Sequence, residues 1–191
     1  VTGNQKVGGF LGQHDGDPIE DCYSSGAVSG NSSVGGFVGS GAPGDYFDCF
    51  WDSTIASGLN DDGVNGDDTG IFAKTTSEMM NKDTFTTGGQ TWDFVSTWIM
   101  AGYPHLRIEA STGPISNVVE LQLMAVDLTA DYYLTGDIDA SATATWNNSA
   151  GFDPVGDFSN MFDGSFDGND YTISNLTIDR STTDYVGLFG Y

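Results

Sequence analysis

KVGGFLG at residues 6–12 returns as SVGGFVG at residues 33–39, so an apolar, glycine-rich phrase recurs after 27 residues. The same offset separates Cys22 from Cys49, and a weaker copy of the phrase, YVGLFG, occupies residues 185–190. A fixed period of this size predicts a repeat architecture in which each unit packs against its neighbours. Such an architecture favours a scaffold or a binding surface over an enclosed catalytic pocket.

Each 27-residue unit predicts three short strands separated by turns. In the first unit these strands are Val7–Leu11, Ile19–Tyr23 and Ala27–Gly30, because turn-forming residues bound short runs of strand-forming residues there. Three strands and three turns match one coil of a parallel β-helix, also called a β-solenoid. We therefore predict an all-β fold with a stacked apolar interior that contains Val7, Phe10, Val34, Phe37, Val186 and Leu188.

One or two short capping helices are predicted outside the repeats. Residues 57–70 read as a polar loop, and Thr75–Glu78 matches a capping box ahead of a helix that reaches about Asn81. Thr91–Met100 is rich in aromatic residues, and we expect it to cover the open end of the repeats.

A turn-rich stretch at residues 110–114 marks the predicted boundary between two regions. We expect residues 1–110 to form the coils with a closing segment, and residues 111–191 to open a following block. That block begins with a helix over Ser116–Val126, capped by Asn117 or Ser116. Strands are expected at Tyr132–Ala140 and Tyr171–Ile178, where apolar residues alternate with polar ones.

The charge balance argues against two classes of binding partner. The chain has 27 acidic and 5 basic residues and a formal net charge of −22. Nucleic acids and anionic membranes bind basic patches, so neither is an expected partner. No apolar run is long enough for membrane insertion. A strongly acidic surface keeps a secreted or salt-adapted protein soluble. Alternatively, its carboxylates bind cations.

Four aspartates form the candidate metal site. Asp61, Asp62, Asp67 and Asp68 concentrate carboxylates in one polar stretch, as a calcium site requires. The alternative is that these residues only form turns, because the stretch does not match the EF-hand pattern. We expect no other cofactor.

Cys22 and Cys49 lie one period apart, so stacked coils would place them about 4.8 Å from each other. That spacing is compatible with a disulfide or with a ladder of two free thiols. Asn31 and Asn147 begin N-glycosylation sequons and are candidate acceptors, whereas the sequon at Asn175 lies in a predicted strand.

Asp137 and Asp139 are the candidate catalytic pair. Their spacing places both side chains on one face of a strand, where carboxylates could serve a carbohydrate-active β-helix enzyme. The alternative is that they cap turns or face solvent. The chain has no nucleophile motif of the G-x-S-x-G type, so we do not expect an enzyme.

The three phrases, together with the DCY and DCF segments at residues 21–23 and 48–50, resemble the GLUG repeat of large bacterial and archaeal surface proteins. Residues 71–107 resemble the segment that closes a block of such repeats, and residues 115–191 resemble the segment that opens one. The resemblance implies a right-handed parallel β-helix with an extracellular, structural or adhesive role, and it carries no catalytic residue across. Because the closing segment comes first, we expect the chain to span the junction of two blocks.

The expected function is therefore that of a structural or adhesive β-solenoid module of a microbial surface protein, located outside the cell or on its surface. The expected partners are other copies of the chain, joined end to end, or a ligand on a host or neighbouring cell. One alternative is a subunit of a self-assembling extracellular filament. The alternative from another class is the carbohydrate-active enzyme.

Overall fold

A computed structural model describes all residues from Val1 to Tyr191 and divides them into two compact units. The first unit comprises Val1–Met79 and Asp83–Trp92, and the second comprises Met80–Lys82 and Asp93–Tyr191. This division differs from the predicted boundary near residue 110, because residues 93–110 belong to the second unit. The aromatic segment at residues 91–100 is likewise divided between the two units.

The first unit consists of eight short strands and two helical turns. They are β1 (Gln5–Gly8), β2 (Ile19–Glu20), β3 (Tyr23–Ser24), β4 (Ser32–Val38), β5 (Tyr46–Phe47), β6 (Cys49–Asp52), β7 (Asn60–Asp62), β8 (Ile71–Lys74), α1 (Thr76–Met79) and α2 (Asp83–Thr86).

The chain passes through three parallel sheets in rotation. The sheets have the strand orders β1-β4-β7, β2-β5 and β3-β6-β8. Val7 pairs with Val34, Ile19 with Tyr46, and Tyr23 with Phe50, so all three sheets share the 27-residue register. This register is the one that the sequence period predicts. The right-handed, closed β-helix stays a prediction.

Left-handed backbone angles repeat with the same period. Lys6 in β1 and Ser33 in β4 have φ angles of 53° and 52°, and Asp21 and Asp48, at corners between strands, have φ angles of 52° and 50°. The left-handed region is uncommon for residues with a side chain, and stacked neighbours must hold it in place. Equal corners at a fixed offset therefore show that successive turns of the chain follow the same path.

A third passage through the sheets corrects the predicted polar loop at residues 57–70. Within that stretch Asn60–Asp62 is strand β7, which pairs with β4 at Gly35↔Asn60, across a register shift. Strand β8 follows and pairs with β6, with Ile71 opposite Cys49. The offsets here are shorter than 27 residues, so no repeated phrase marks this passage in the sequence.

The interior of the first unit departs in part from the predicted ladder. Val7 and Phe37 are buried, but Phe10 is 44% exposed. Phe10 still stacks on Phe37, with ring centroids 5.0 Å apart and an interplanar angle of 12°. This pair of the predicted ladder is therefore present, but Phe10 is not enclosed in an interior.

The second unit contains seven strands and one α-helix. They are β9 (Trp98–Ala101), β10 (Tyr103–Leu106), β11 (Gly113–Ile115), α3 (Val118–Leu123), β12 (Tyr132–Leu134), β13 (Ile138–Asp139), β14 (Phe166–Asp167) and β15 (Ile173–Ser174). Three 3₁₀ turns accompany them at Arg107–Glu109, Met124–Val126 and Ser141–Thr145.

Parallel pairing continues in the second unit at offsets that differ from 27 residues. Strands β11, β12 and β14 form one sheet, β13 and β15 form another, and β9 pairs antiparallel with β10. Tyr132 lies opposite Phe166, and Ile138 lies opposite Ile173. The third copy of the phrase pairs through Phe189 with Val155, and its Val186 is 41% exposed rather than interior.

The helix predictions are confirmed at their N-terminal ends. In α1 the Glu78 carboxylate accepts from the Thr75 amide at 2.8 Å, and the Thr75 hydroxyl accepts from the Glu78 amide at 3.3 Å, which is a capping box. In α3 the Asn117 side chain accepts from two backbone amides of the first turn. The strand predicted at Tyr171–Ile178 is only Ile173–Ser174.

Substitution of Gly35 by alanine tests the close stacking of strands. A Cβ atom at Gly35 would lie 2.0 Å from the Val38 carbonyl oxygen and 2.7 Å from that of Asp61. Because these are backbone atoms, we expect Gly35→Ala to lower the free energy of unfolding by about 2 kcal/mol or more. Urea-induced unfolding followed by tryptophan fluorescence measures the change.

Gly26→Ala is the matched control, because a Cβ atom there would meet nothing within 4 Å. We expect its free energy of unfolding to change by less than about 1 kcal/mol. Equal effects of the two substitutions would contradict the stacked arrangement.

Candidate functional site

The predicted metal site lies at strand β7, where two adjacent aspartates are buried. Asp61 and Asp62 are each only 4% exposed. The Asp62 carboxylate accepts from the amides of Val64 at 2.6 Å and Asn65 at 3.0 Å, and from the Gly41 amide at 2.9 Å. Gly41 belongs to the preceding turn of the chain, so Asp62 ties two successive loops together.

Asp61 makes a different set of contacts. Its Oδ1 accepts from the indole Nε1 of Trp51 at 2.5 Å, and its Oδ2 accepts from the Asp68 amide at 3.3 Å. The pKa of the Asp61 carboxyl is raised to about 6, mainly by burial; the hydrogen bond from Trp51 lowers it, and the negative charges of Asp67 and Asp68 raise it. This carboxyl is therefore ionised at neutral pH at the expense of stability.

Asp68, like Asp62, directs its carboxylate to backbone amides. Asp68 accepts from the Gly44 amide through Oδ2 and from the Gly70 amide through Oδ1, both at 2.9 Å. No group of three or more His, Cys, Asp or Glu side chains is arranged to hold a metal ion. The contacts show Asp62 and Asp68 satisfying backbone amides between loops, and calcium binding stays a prediction.

The two cysteines are free thiols in the structure. Cys49 is fully buried, and its Sγ lies 3.4 Å from the Ile19 carbonyl oxygen. The Phe50 amide donates to the Cys22 carbonyl at 2.9 Å, so Cys22, directly before β3, lies beside Cys49, the first residue of β6. Burial raises the pKa of both thiols, and that of Cys49 to about 12.

The sequon asparagines use their side-chain amides in local hydrogen bonds. Asn31 is exposed, and its Nδ2 donates to Asn4 Oδ1 at 2.8 Å, one period away. Asn147 Nδ2 donates to the Gly151 carbonyl at 2.8 Å. Glycosylation at either site would have to replace these bonds, and both acceptor sites stay predictions.

Asp137 and Asp139 bind to the next passage of the chain. Asp137 accepts from the Thr172 amide at 2.8 Å, and Asp139 accepts from Asn175 Nδ2 at 3.0 Å. The Asn175 bond, followed by bonds from Ser141, lowers the pKa of the Asp139 carboxyl. A general acid needs a raised pKa, so the contacts at Asp139 favour an inter-strand link over proton donation.

The second unit contains a cleft that was not predicted from the sequence. It has a volume of about 830 Å³, and its lining includes Phe158, Tyr185, Asp157 and Arg180. Phe158 and Tyr185 are 66% and 61% exposed. Phe158 and Tyr185 are 27 residues apart, but no repeated phrase includes Phe158, so only the fold shows that these rings meet.

Replacement of Asp61 tests the buried carboxyl. Its pKa is raised from the ordinary value of 3.8 to about 6 in the folded chain, so the charged form opposes folding. This destabilisation is absent below about pH 4, where the carboxyl is protonated in both states, and complete above about pH 6. We therefore expect Asp61→Asn to be more stable than the native chain by on the order of 2 kcal/mol near pH 7, and equally stable near pH 4.

Asp62→Asn is the matched control for this pH series. Asp62 receives amide donors from two loops, so loss of its charge should lower the free energy of unfolding at neutral pH. Chemical unfolding across this pH range measures both variants. A loss of stability in Asp61→Asn that is the same at every pH would contradict the assignment.

Thiol labelling tests the positions of the cysteines. Cys22 is partly exposed and Cys49 is buried, so we expect a thiol reagent to modify Cys22 slowly and Cys49 only after unfolding. Mass spectrometry after proteolysis identifies the modified residue. Failure of both residues to react in denaturant without a reductant would show a disulfide instead.

Two known proteins are similar to parts of this chain. An alignment with halomucin from Haloquadratum walsbyi is 84 residues long, covers 40% of the chain and shows 49% identity. A stretch of 59 residues, 31% of the chain, is 39% identical to a Gly-rich membrane protein from Evansella cellulosilytica. The chain spans 1% of the length of the first and 7% of the second.

No protein-family model matches the chain, and no solved structure matches it. The resemblance to the GLUG repeat therefore stays a prediction. None of the helices in the structure has the length and apolar character needed to cross a bilayer. The two similarities suggest a protein associated with a cell surface or a membrane.

Proposed function

We propose that this chain is a structural and adhesive module of a microbial surface protein, built as a parallel β-solenoid and displayed outside the cell. The observation that carries the proposal is the common 27-residue register of three parallel sheets in the first unit. A chain that repeats its path in this way extends by adding turns, and each turn presents a similar surface.

Hydrogen bonds between turns support the structural role. Asp62 and Asp68 accept amide hydrogen bonds from the loop that contains Gly41 and Gly44. Asn31 and Asn4 form a side-chain ladder on the same period. Hydrogen bonds of this kind, repeated along a stack, fix each turn to the next and oppose separation of the turns.

The surface chemistry supports a place outside the cell. A net charge of −22 on 191 residues keeps chains apart and hydrated. Both similar proteins suggest a cell-surface or membrane association. These two observations are independent of the fold, and both favour surface display.

Antibodies raised against the purified chain test this location. On intact cells of the source organism, we expect immunogold label at the surface before any permeabilisation. An antibody against an internal enzyme is the control and should label only permeabilised cells. Label that appears only after permeabilisation would contradict the proposal.

Self-assembly into a filament is the second candidate, and one observation favours it. Strands β1, β2 and β3 are each at an edge of their sheet. Such edges expose unpaired backbone groups that can template another chain. Electron microscopy of the purified chain should show filaments if this candidate is correct, and a folded N-terminal fusion partner should block them.

A further inference from the structure

The cleft of the second unit has the size of a ligand site. Its volume is about 830 Å³, within the roughly 300–1,000 Å³ usual for small-molecule sites. Phe158 and Tyr185 line it and keep more than half of their surface exposed. Clustered, exposed aromatic rings are unusual on a soluble surface and mark interaction sites.

Three aromatic rings support each other at this position. Phe158 and Tyr185 lie nearly parallel, with centroids 6.2 Å apart and an interplanar angle of 21°. Tyr191 packs edge-on against both, at 5.3 Å from Phe158 and 5.2 Å from Tyr185. Tyr191 does not line the cleft, but it packs against the two rings that do.

The polar lining offers both donors and acceptors. Asp153 Oδ1 is 3.0 Å from Arg180 Nη2. The amides of Ser159 and Asn160 donate to Asp157 Oδ1 at 2.7 and 2.8 Å. Amide bonds lower the pKa of the Asp157 carboxyl, so it is an ionised acceptor at neutral pH. A hydroxyl group both donates and accepts, so a polyhydroxylated ligand can use this lining fully.

We propose that this cleft binds a neutral pyranose sugar whose hydroxyl groups are equatorial. Equatorial hydroxyls leave the C–H groups exposed on the ring faces, and these pack on the electron-rich faces of Phe158 and Tyr185. The hydroxyls at the ring edge reach Asp157, Asn160 and Arg180. A wholly apolar ligand would instead strip water from these groups without replacing their hydrogen bonds.

Charge separates this ligand from its competitors. The lining carries four carboxylates, Asp127, Asp153, Asp157 and Asp184, and one cation, Arg180. An acidic sugar would add negative charge to this set. A second copy of the chain would bring a further net charge of −22, which opposes its approach to an acidic cleft. A neutral sugar is not repelled by these carboxylates.

Sugar binding would give the adhesive role proposed above a ligand class. This inference rests on that role only for its biological meaning, because it is tested with the purified chain in solution. Absence of sugar binding would leave surface display untouched, and an internal location would leave sugar binding untouched.

Titration with cellobiose, a β-linked glucose disaccharide, tests the inference. We expect calorimetry to give a Kd of about 1 mM, as for a shallow site with few contacts. The double substitution Phe158→Ala and Tyr185→Ala should weaken binding by about tenfold or more. Both rings are exposed, so the melting temperature should change little.

Tyr171→Ala is the matched control, because Tyr171 is 45% exposed in the same unit and does not line the cleft. It should bind cellobiose as the native chain does. Absence of heat at millimolar cellobiose, equal binding by the double variant, or tighter binding of glucuronic acid would each overturn the proposal. So would self-association of the native chain that the double variant loses, since the rings would then be a contact between copies.

Discussion

The first unit depends on backbone hydrogen bonding between successive turns of the chain that keep one register. Val7 opposite Val34 and Tyr23 opposite Phe50 place each turn on the one before it. Glycine at the centre of β4 lets β7 approach, because a Cβ atom at Gly35 would overlap backbone atoms of β4 itself and of β7. Left-handed corners at Asp21 and Asp48 return the chain to the same position. Burial of aromatic and aliphatic side chains follows from this path.

The acidic residues serve two different purposes in this arrangement. Asp62 and Asp68 accept hydrogen bonds from the backbone amides of Gly41 and Gly44, so these two carboxylates join neighbouring loops. Asp61 is buried beside Trp51 with a raised pKa, so its ionisation opposes folding. An acidic composition alone therefore does not indicate whether a carboxylate stabilises or destabilises the fold. The hydrogen-bond donors around the carboxylate and its burial decide this. Exposed acids such as Asp157 instead define the chemistry of a cleft that two aromatic rings flank.

The sequence predicted the register of the first unit well, because identical phrases must occupy equivalent positions in stacked turns. The capping box at Thr75 and Glu78 and the Asn117 cap were also predictable, since local hydrogen bonds determine them. Strand β7 was missed because its Asp61 and Asp62 are polar and lie in a stretch rich in turn-forming residues. The second unit was harder because its strands pair at several different offsets and no phrase repeats at any of them. The cleft was not predictable, because no repeated phrase includes Phe158, although it is 27 residues from Tyr185.

The first two turns of the chain stack at an offset of 27 residues. Inter-strand nuclear Overhauser effects between backbone protons of the isotope-labelled chain measure this register directly. We expect cross-peaks that join Val7 to Val34, Ile19 to Tyr46 and Tyr23 to Phe50 in a parallel pattern. Cross-peaks that join β1 to β4, β2 to β5 or β3 to β6 at another offset or in an antiparallel pattern would contradict this stacking.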